Sequence, residues 1–86
     1  MAGMTKAYDA LCLKSATVAG TTADTNMAIS GIVTDDVLVM VIEIATTTGI
    51  PTDRTATTSI TSDGNIQCTV DTSSDKLIVL YHDTSA

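Results

Sequence analysis

Two segments of the chain have apolar side chains in both alternating positions. In Val37–Ile44, seven of the eight residues are large and apolar, and Glu43 is the exception. Residues 77–81 repeat this pattern near the end of the chain. Because successive side chains of a strand point to opposite faces, neither segment has a polar face for water. The pattern predicts two strands that are covered on both sides.

A β-hairpin is the clearest local prediction. Two alternating runs within residues 55–71 are joined by Ser62-Asp63-Gly64-Asn65, and Asp-Gly supplies the positive φ values that tight hairpin turns need. On the second arm, Ile66, Cys68 and Val70 share one face, while polar residues occupy the other. This hairpin should therefore have one buried face and one face in water.

The remaining pattern predicts further strands and no helix. Thr is abundant, β-branched residues favour a pleated surface, and no segment keeps a helical apolar spacing over three turns. We expect an all-β fold, a small antiparallel β-sandwich or barrel, formed by one domain spanning residues 1–86. Residues 1–14 form either an extended N-terminal arm or the first strand. Strands are expected at residues 8–13, 16–19, 27–31, 37–45 and 76–83.

The composition indicates a small aliphatic core. The chain has 86 residues, no Trp or Phe, and only two Tyr residues. A chain of this length buries roughly 60–65% of the surface that its unfolded form exposes. A core of this kind is often completed by a partner chain.

Net charge argues against two classes of partner. The formal charge is −6, and no basic patch is visible. Binding to nucleic acid or to an anionic membrane would therefore lack its electrostatic driving force. The N-terminal residues do not form a signal peptide, and the apolar run is shorter than the roughly 20 residues of a membrane helix. We expect a soluble protein that is made in the cytoplasm.

The residues with catalytic or metal-binding potential are few. His82, the only histidine, precedes Asp83 at a strand end, where neighbours point to opposite faces. Asp35-Asp36 and the Asp71…Asp75 pair lack the spacing of a calcium loop and are typical turn residues. We expect no enzyme activity, no metal and no cofactor. Cys12 and Cys68 are either buried thiols or a disulfide, which would need Cα atoms within about 7 Å.

Three arrangements could cover the outer faces of the two-sided strands. A loop or terminal segment of the same chain, a second copy, or a larger surface such as a shell or filament would each bury them. The last two would make this an interaction protein. The residues that we expect at such an interface are Val37, Val39, Val41, Leu77, Val79 and Tyr81, with Arg54 as a partner for a carboxylate.

Three segments together resemble the small head proteins of tailed bacteriophages. They are SATVAGTTADTNMAISGI, DDVLVMVIEI and SITSDGNIQCTVDTSSDKLIVLYHDTSA, which cover nearly the whole chain. The resemblance implies a capsid decoration, or cement, protein that binds the outside of the expanded head. Such proteins sit at local symmetry axes, often as trimers, and hold neighbouring major capsid subunits together. The expected location is therefore the capsid surface of the virion, after synthesis in the host cytoplasm.

Two other functions remain open at this point. One is another virion component, such as a tail, neck or spike subunit. The other is a free-standing β-sandwich binding module, although the near absence of aromatic side chains argues against a carbohydrate site. Neither needs a catalytic residue.

Overall fold

The computed structural model describes residues 13–84, which form two antiparallel sheets. The all-β prediction is confirmed, and the two sheets make the sandwich form rather than the barrel. In chain order the strands are β1 (Leu13–Ala19), β2 (Met27–Ala28), β3 (Val37–Ile44), β4 (Pro51–Asp53), β5 (Thr58–Ser62), β6 (Asn65–Cys68) and β7 (Lys76–His82), and a short 3₁₀ helix (Thr55–Thr57) lies between β4 and β5. No helix among these residues is long and apolar enough to cross a membrane.

The larger sheet has the strand order β1-β7-β3-β4. Its two central strands, β3 and β7, are the two segments with apolar side chains in both alternating positions. Leu13 pairs with His82 at one end of β1, and Ala19 pairs with Lys76 at the other. Their central position places the apolar side chains of the two strands next to each other on both faces. The prediction that both faces are covered is not met within the described residues, because Ile78 and Met40 are exposed on the outward face.

The smaller sheet has the order β2-β6-β5 and contains the predicted hairpin. β5 and β6 are joined by a turn at Asp63-Gly64, where Gly64 has a φ of 82°. This confirms the turn that the Asp-Gly pair predicts, since glycine adopts positive φ without steric cost. Ile66 and Cys68 are buried, as their alternation predicts.

Two of the predicted strand boundaries were wrong. Residues 16–19 belong to β1, which begins at Leu13, and the rest of the predicted strand 8–13 lies outside the described residues. The predicted strand 27–31 ends at Ala28. After it, the N–H of Ile29 donates to Gly64 O at 2.9 Å, and the N–H of Gly64 donates to Ile32 O at 2.7 Å. The segment therefore bonds to the hairpin turn instead of continuing the ladder.

A β-bulge in β3 changes which residues share a face. Strict alternation would put Val37, Val39 and Val41 on the same side of the sheet. The register against β7 shifts between Leu38 and Met40, so that Leu38 packs against the core together with Val41. Val37 and Val39 are exposed as a result. An extra residue in one strand is what produces such a switch.

The core lies between the two sheets and is aliphatic, as the composition predicts. β7 contributes every second residue to it, and the rest come from β2 and the segment after it, from β3 and from β6. The buried apolar residues are Met27, Ile29, Ile32, Val41, Ile66, Cys68, Leu77, Val79 and Tyr81.

Candidate functional site

The side of the four-stranded sheet that faces away from the core carries an apolar stripe. We define the stripe as the outward side chains of the two central strands. Ile78 pairs with Ile42, and Leu80 pairs with Met40, so these four side chains lie side by side on one face. Ile44 extends the stripe along β3. Ile78 is 46% exposed and Met40 is 44% exposed, while the other three are half-buried by their neighbours.

Polar residues border the stripe on both sides. On the β1 side, Ser15 pairs with Leu80 and Thr17 pairs with Ile78, and both polar residues are exposed. On the β4 side, Asp53 pairs with Ile42. An apolar centre with a polar rim is the arrangement typical of the core of a protein interface. Exposed apolar surface of this kind otherwise promotes aggregation.

Four of the predicted interface residues lie on the opposite side of the sheet. Val41, Leu77 and Val79 have no exposed surface, and Tyr81 is 6% exposed. Their side chains pack in the core of the described chain and are not available to a partner. The prediction chose the wrong face of a two-sided strand for these residues. An interface on this sheet would use the stripe instead.

The other three predicted interface residues have different positions. Val37 is 55% exposed and Val39 is 46% exposed at the start of β3. The Nε of Arg54 lies 2.7 Å from Oε1 of Glu43. Arg54 was expected to pair with a carboxylate of a partner, but it pairs with a buried carboxylate of its own chain.

A signal for the outward face is present in β7. Ile78 and Leu80 alternate with core residues and share their face with Lys76 and His82. A lysine on the same face as two apolar residues indicates that this face reaches water, because a charged ammonium is rarely buried without a partner. In β3 the charged residue gives the wrong signal. Glu43 would predict that its face reaches water, but it lies on the core side of the strand.

The acidic end of the sandwich is a hydrogen-bonded cluster around Glu43. Interaction with the Glu43 side chain and the hydrogen bond from the N–H of Thr46 lower the pKa of Asp75 and outweigh the effect of burial, and the charge of Arg54 adds a smaller contribution. Oδ1 of Asp75 accepts the Thr46 N–H at 3.1 Å. These contacts join the loop after β3 to the loop before β7 and have a structural role.

Two other aspartates accept hydrogen bonds from the residue two positions further along the chain. Hydrogen bonds from the hydroxyl and the N–H of Thr55 lower the pKa of Asp53, and those of Ser73 lower the pKa of Asp71 in the same way. Among residues 13–84, no group of three or more His, Cys, Asp or Glu side chains could hold a metal ion. Cys68 is a buried free thiol, and Cys12 lies outside the described residues.

Comparison with known proteins returned no match: no family model, no curated protein and no solved structure is similar to this chain.

Proposed function

We propose that this protein is a virion structural protein, a capsid decoration protein of a tailed bacteriophage. It binds the outer face of the head and stabilises contacts between major capsid subunits. The observation that carries the proposal is the apolar stripe with its polar rim on the outward face of the four-stranded sheet. The resemblance of the three sequence segments to small phage head proteins supplies the identity of the partner. No catalytic residue is required for this role.

The stripe is small, and its size determines how it would act. Its most exposed members, Ile78 and Met40, retain a little under half of their surface. Burying that remainder would stabilise a complex by about 1 kcal/mol for each side chain. Association costs at least several kcal/mol, so a single copy would bind weakly. We therefore propose a homo-oligomer, with a trimer favoured, in which several stripes bind one shell together.

The charge of the chain fits a position on the outside of a head. A net charge of −6 opposes contact with the packaged DNA and favours solubility before binding. A protein that binds the assembled shell and not the free subunits stabilises the assembled state by mass action. Such a protein strengthens a finished shell and does not determine its curvature.

The direct experiment uses particles that lack this protein. We expect heads of normal size and symmetry that release DNA at a lower temperature or at lower ionic strength than complete particles. Purified protein added to finished heads should restore the stability. A failure to form heads would instead indicate a scaffolding or shell role, and absence of binding to heads would favour another virion component or a free binding module.

Surface variants test whether the stripe is the docking face. Ile78→Ser and Met40→Ser should reduce co-sedimentation with deficient heads by about fivefold each, since each removes about 1 kcal/mol of apolar contact. The control is Ile50→Ser, which changes a 60% exposed isoleucine in the loop between β3 and β4. Equal binding by all three variants would show that the stripe is not used.

A further inference from the structure

Half of β3 has no strand on its β4 side. β4 pairs only with residues 42–44 of β3. At Val41, the carbonyl accepts the N–H of Arg54 at 2.7 Å, and the N–H donates to Oγ1 of Thr55 at 2.9 Å. Within the described part of the chain, residues 37–40 have no further backbone partner on this edge. The chain leaves β3 here because Arg54 begins the 3₁₀ helix.

The edge of the other sheet lies opposite this free edge. β5 is the outermost strand of the three-stranded sheet, with only β6 beside it among residues 13–84. An open pocket of about 280 Å³ lies between the two edges, with Val37 and Leu38 on one wall and Ser59 and Ile60 on the other. We call this pocket and its two strand edges the β3–β5 cleft. A cleft between two free edges is suited to an extended peptide, since each edge offers main-chain groups.

Carboxylates flank both ends of the cleft. At one end, Asp63 Oδ1 accepts the N–H of Thr34, which lines the pocket, and the exposed Asp35 is the next residue. At the other end, Oδ1 of Asp53 accepts the hydroxyl of Thr55 that also bonds to Val41.

The Lys and Arg side chains of the described residues are either paired or distant from the cleft. Arg54 is paired with Glu43, Lys14 lies on β1 at the far edge of the sheet, and Lys76 begins β7 at the opposite end. The unpaired charges nearest the β3–β5 cleft are therefore carboxylates, and this arrangement favours a cationic partner.

We propose that the β3–β5 cleft binds an extended segment of another polypeptide that carries Lys or Arg at its ends. The segment pairs through its main chain with residues 37–40 and places one small apolar side chain in the pocket beside Leu38. The bulge between Leu38 and Met40 limits the pairing to a short stretch, so one segment binds weakly. This site uses the main-chain edge of β3 and shares only Met40 with the apolar stripe, and it holds whether or not the proposed shell role does.

The test is a titration of the ¹⁵N-labelled full chain with a capped peptide of sequence KVTVTVK, followed by amide shifts and hydrogen exchange. We expect shifts at residues 37–40 and 58–60, and slower exchange at those amides of residues 37–40 that face away from β7. Two control peptides isolate the causes. EVTVTVE reverses the charge, and KVTVTVK with an N-methylated central valine removes a main-chain donor. Both controls should bind at least threefold more weakly.

A matched pair of variants tests the charge contribution. Asp35→Asn removes an exposed charge beside the cleft and should weaken binding of KVTVTVK about twofold. Asp71→Asn removes one charge near Asp75, at the opposite end of the sheet, and keeps an oxygen that can accept from Ser73. Asp71→Asn should leave binding unchanged.

Several results would overturn the proposal. Protection in the free monomer of those residue 37–40 amides that face away from β7 would show that another part of the same chain fills the cleft. Protection that increases with protein concentration would show that a second copy does. Absence of binding, or equal binding of all three peptides, would also exclude it. None of these results changes the expected behaviour of the Ile78→Ser variant, which lies outside the β3–β5 cleft, so the two proposals fail separately.

Discussion

The guanidinium Nε of Arg54 lies 2.7 Å from Oε1 of Glu43, and this contact joins the residue after β4 to the end of β3. Glu43 is 6% exposed, on the same side of β3 as the core residue Val41. A carboxylate in this position is costly unless a cation or hydrogen-bond donor reaches it. The backbone N–H of Arg54 also donates to Val41 O, so one residue fixes the chain where β4 ends and the 3₁₀ helix begins.

Loss of Arg54 should destabilise the fold through the carboxylate that it leaves behind. We expect Arg54→Met to lower the free energy of unfolding by about 2–3 kcal/mol, because Glu43 would remain buried and lose its cation. The double variant Arg54→Met/Glu43→Leu should recover most of this loss. Urea denaturation at pH 7 measures both. Lys76→Met, a control at an exposed lysine, should change stability by less than about 0.5 kcal/mol.

Asp36 should make stability depend on pH below about pH 4. Burial raises the pKa of Asp36, but hydrogen bonds from the N–H groups of Val33 and Thr84 and the Thr84 hydroxyl outweigh it, so the pKa is lowered overall. A carboxyl whose folded pKa lies below its unfolded value, near 3.9, stabilises the fold above that value. The stabilisation is lost as the pH falls through the lower folded pKa.

A pair of adjacent variants separates this effect from general charge. Asp36→Asn should be less stable than the parent by roughly 2 kcal/mol at pH 7, since it weakens charge-assisted hydrogen bonds. The difference should shrink as the pH falls towards 2. Asp35→Asn changes the exposed neighbour and should follow the parent curve. Urea denaturation between pH 7 and pH 2 measures these differences. The same pH dependence of stability in both variants would contradict the role given to Asp36.

Local patterns predicted the central elements of the fold. The alternation in residues 77–81 gave the two faces of β7, and Asp63-Gly64 gave the hairpin turn, because both signals depend on neighbouring residues alone. The bulge at Leu38 and Met40 could not be read in this way, since it arises from the pairing of β3 with β7. One extra residue there moved Val37 and Val39 away from Val41.

The candidate site was predicted only in part. The sequence shows that both faces of β3 and β7 are apolar, but which face becomes the core depends on where the second sheet packs. The pairing of Arg54 with Glu43 is a contact between two strands, and no local spacing specifies it. For the same reason the β3–β5 cleft, which forms where β4 stops short of residue 41, has no signature in the sequence.

Gly20 should be intolerant of any side chain, because Thr72 lies against it. A Cβ at Gly20 would collide with the carbonyl oxygen of Thr72 and lie 2.7 Å from its Oγ1. Thr72 is buried, and its hydroxyl accepts the N–H of Thr21 at 3.1 Å. Gly20→Ala should therefore break these bonds and lower the free energy of unfolding by roughly 2–3 kcal/mol or more.

The control for this substitution is Gly64→Ala. Gly64 has open space around its Cα and only its positive φ opposes a side chain. Its replacement should cost about 1 kcal/mol. Thermal unfolding of both variants, followed by circular dichroism, should rank Gly20→Ala clearly below Gly64→Ala. A higher melting temperature for Gly20→Ala than for Gly64→Ala would mean that the loop containing Thr72 moves to accommodate the added methyl group.

Leu77 and Ile78 are adjacent residues on opposite faces of β7, and they should separate stability from docking. Leu77 has no exposed surface, so Leu77→Ala should leave a cavity and lower the free energy of unfolding by about 2–4 kcal/mol. Ile78 is 46% exposed, and Ile78→Ala should lower it by less than about 1 kcal/mol. Binding to heads that lack this protein should show the opposite pattern. At a temperature where both variants are folded, Ile78→Ala should bind more weakly and Leu77→Ala should bind normally. If Leu77→Ala instead lost binding while folded and Ile78→Ala kept it, docking through the outward face of β7 would be excluded. Urea denaturation and co-sedimentation on the same two preparations measure both quantities.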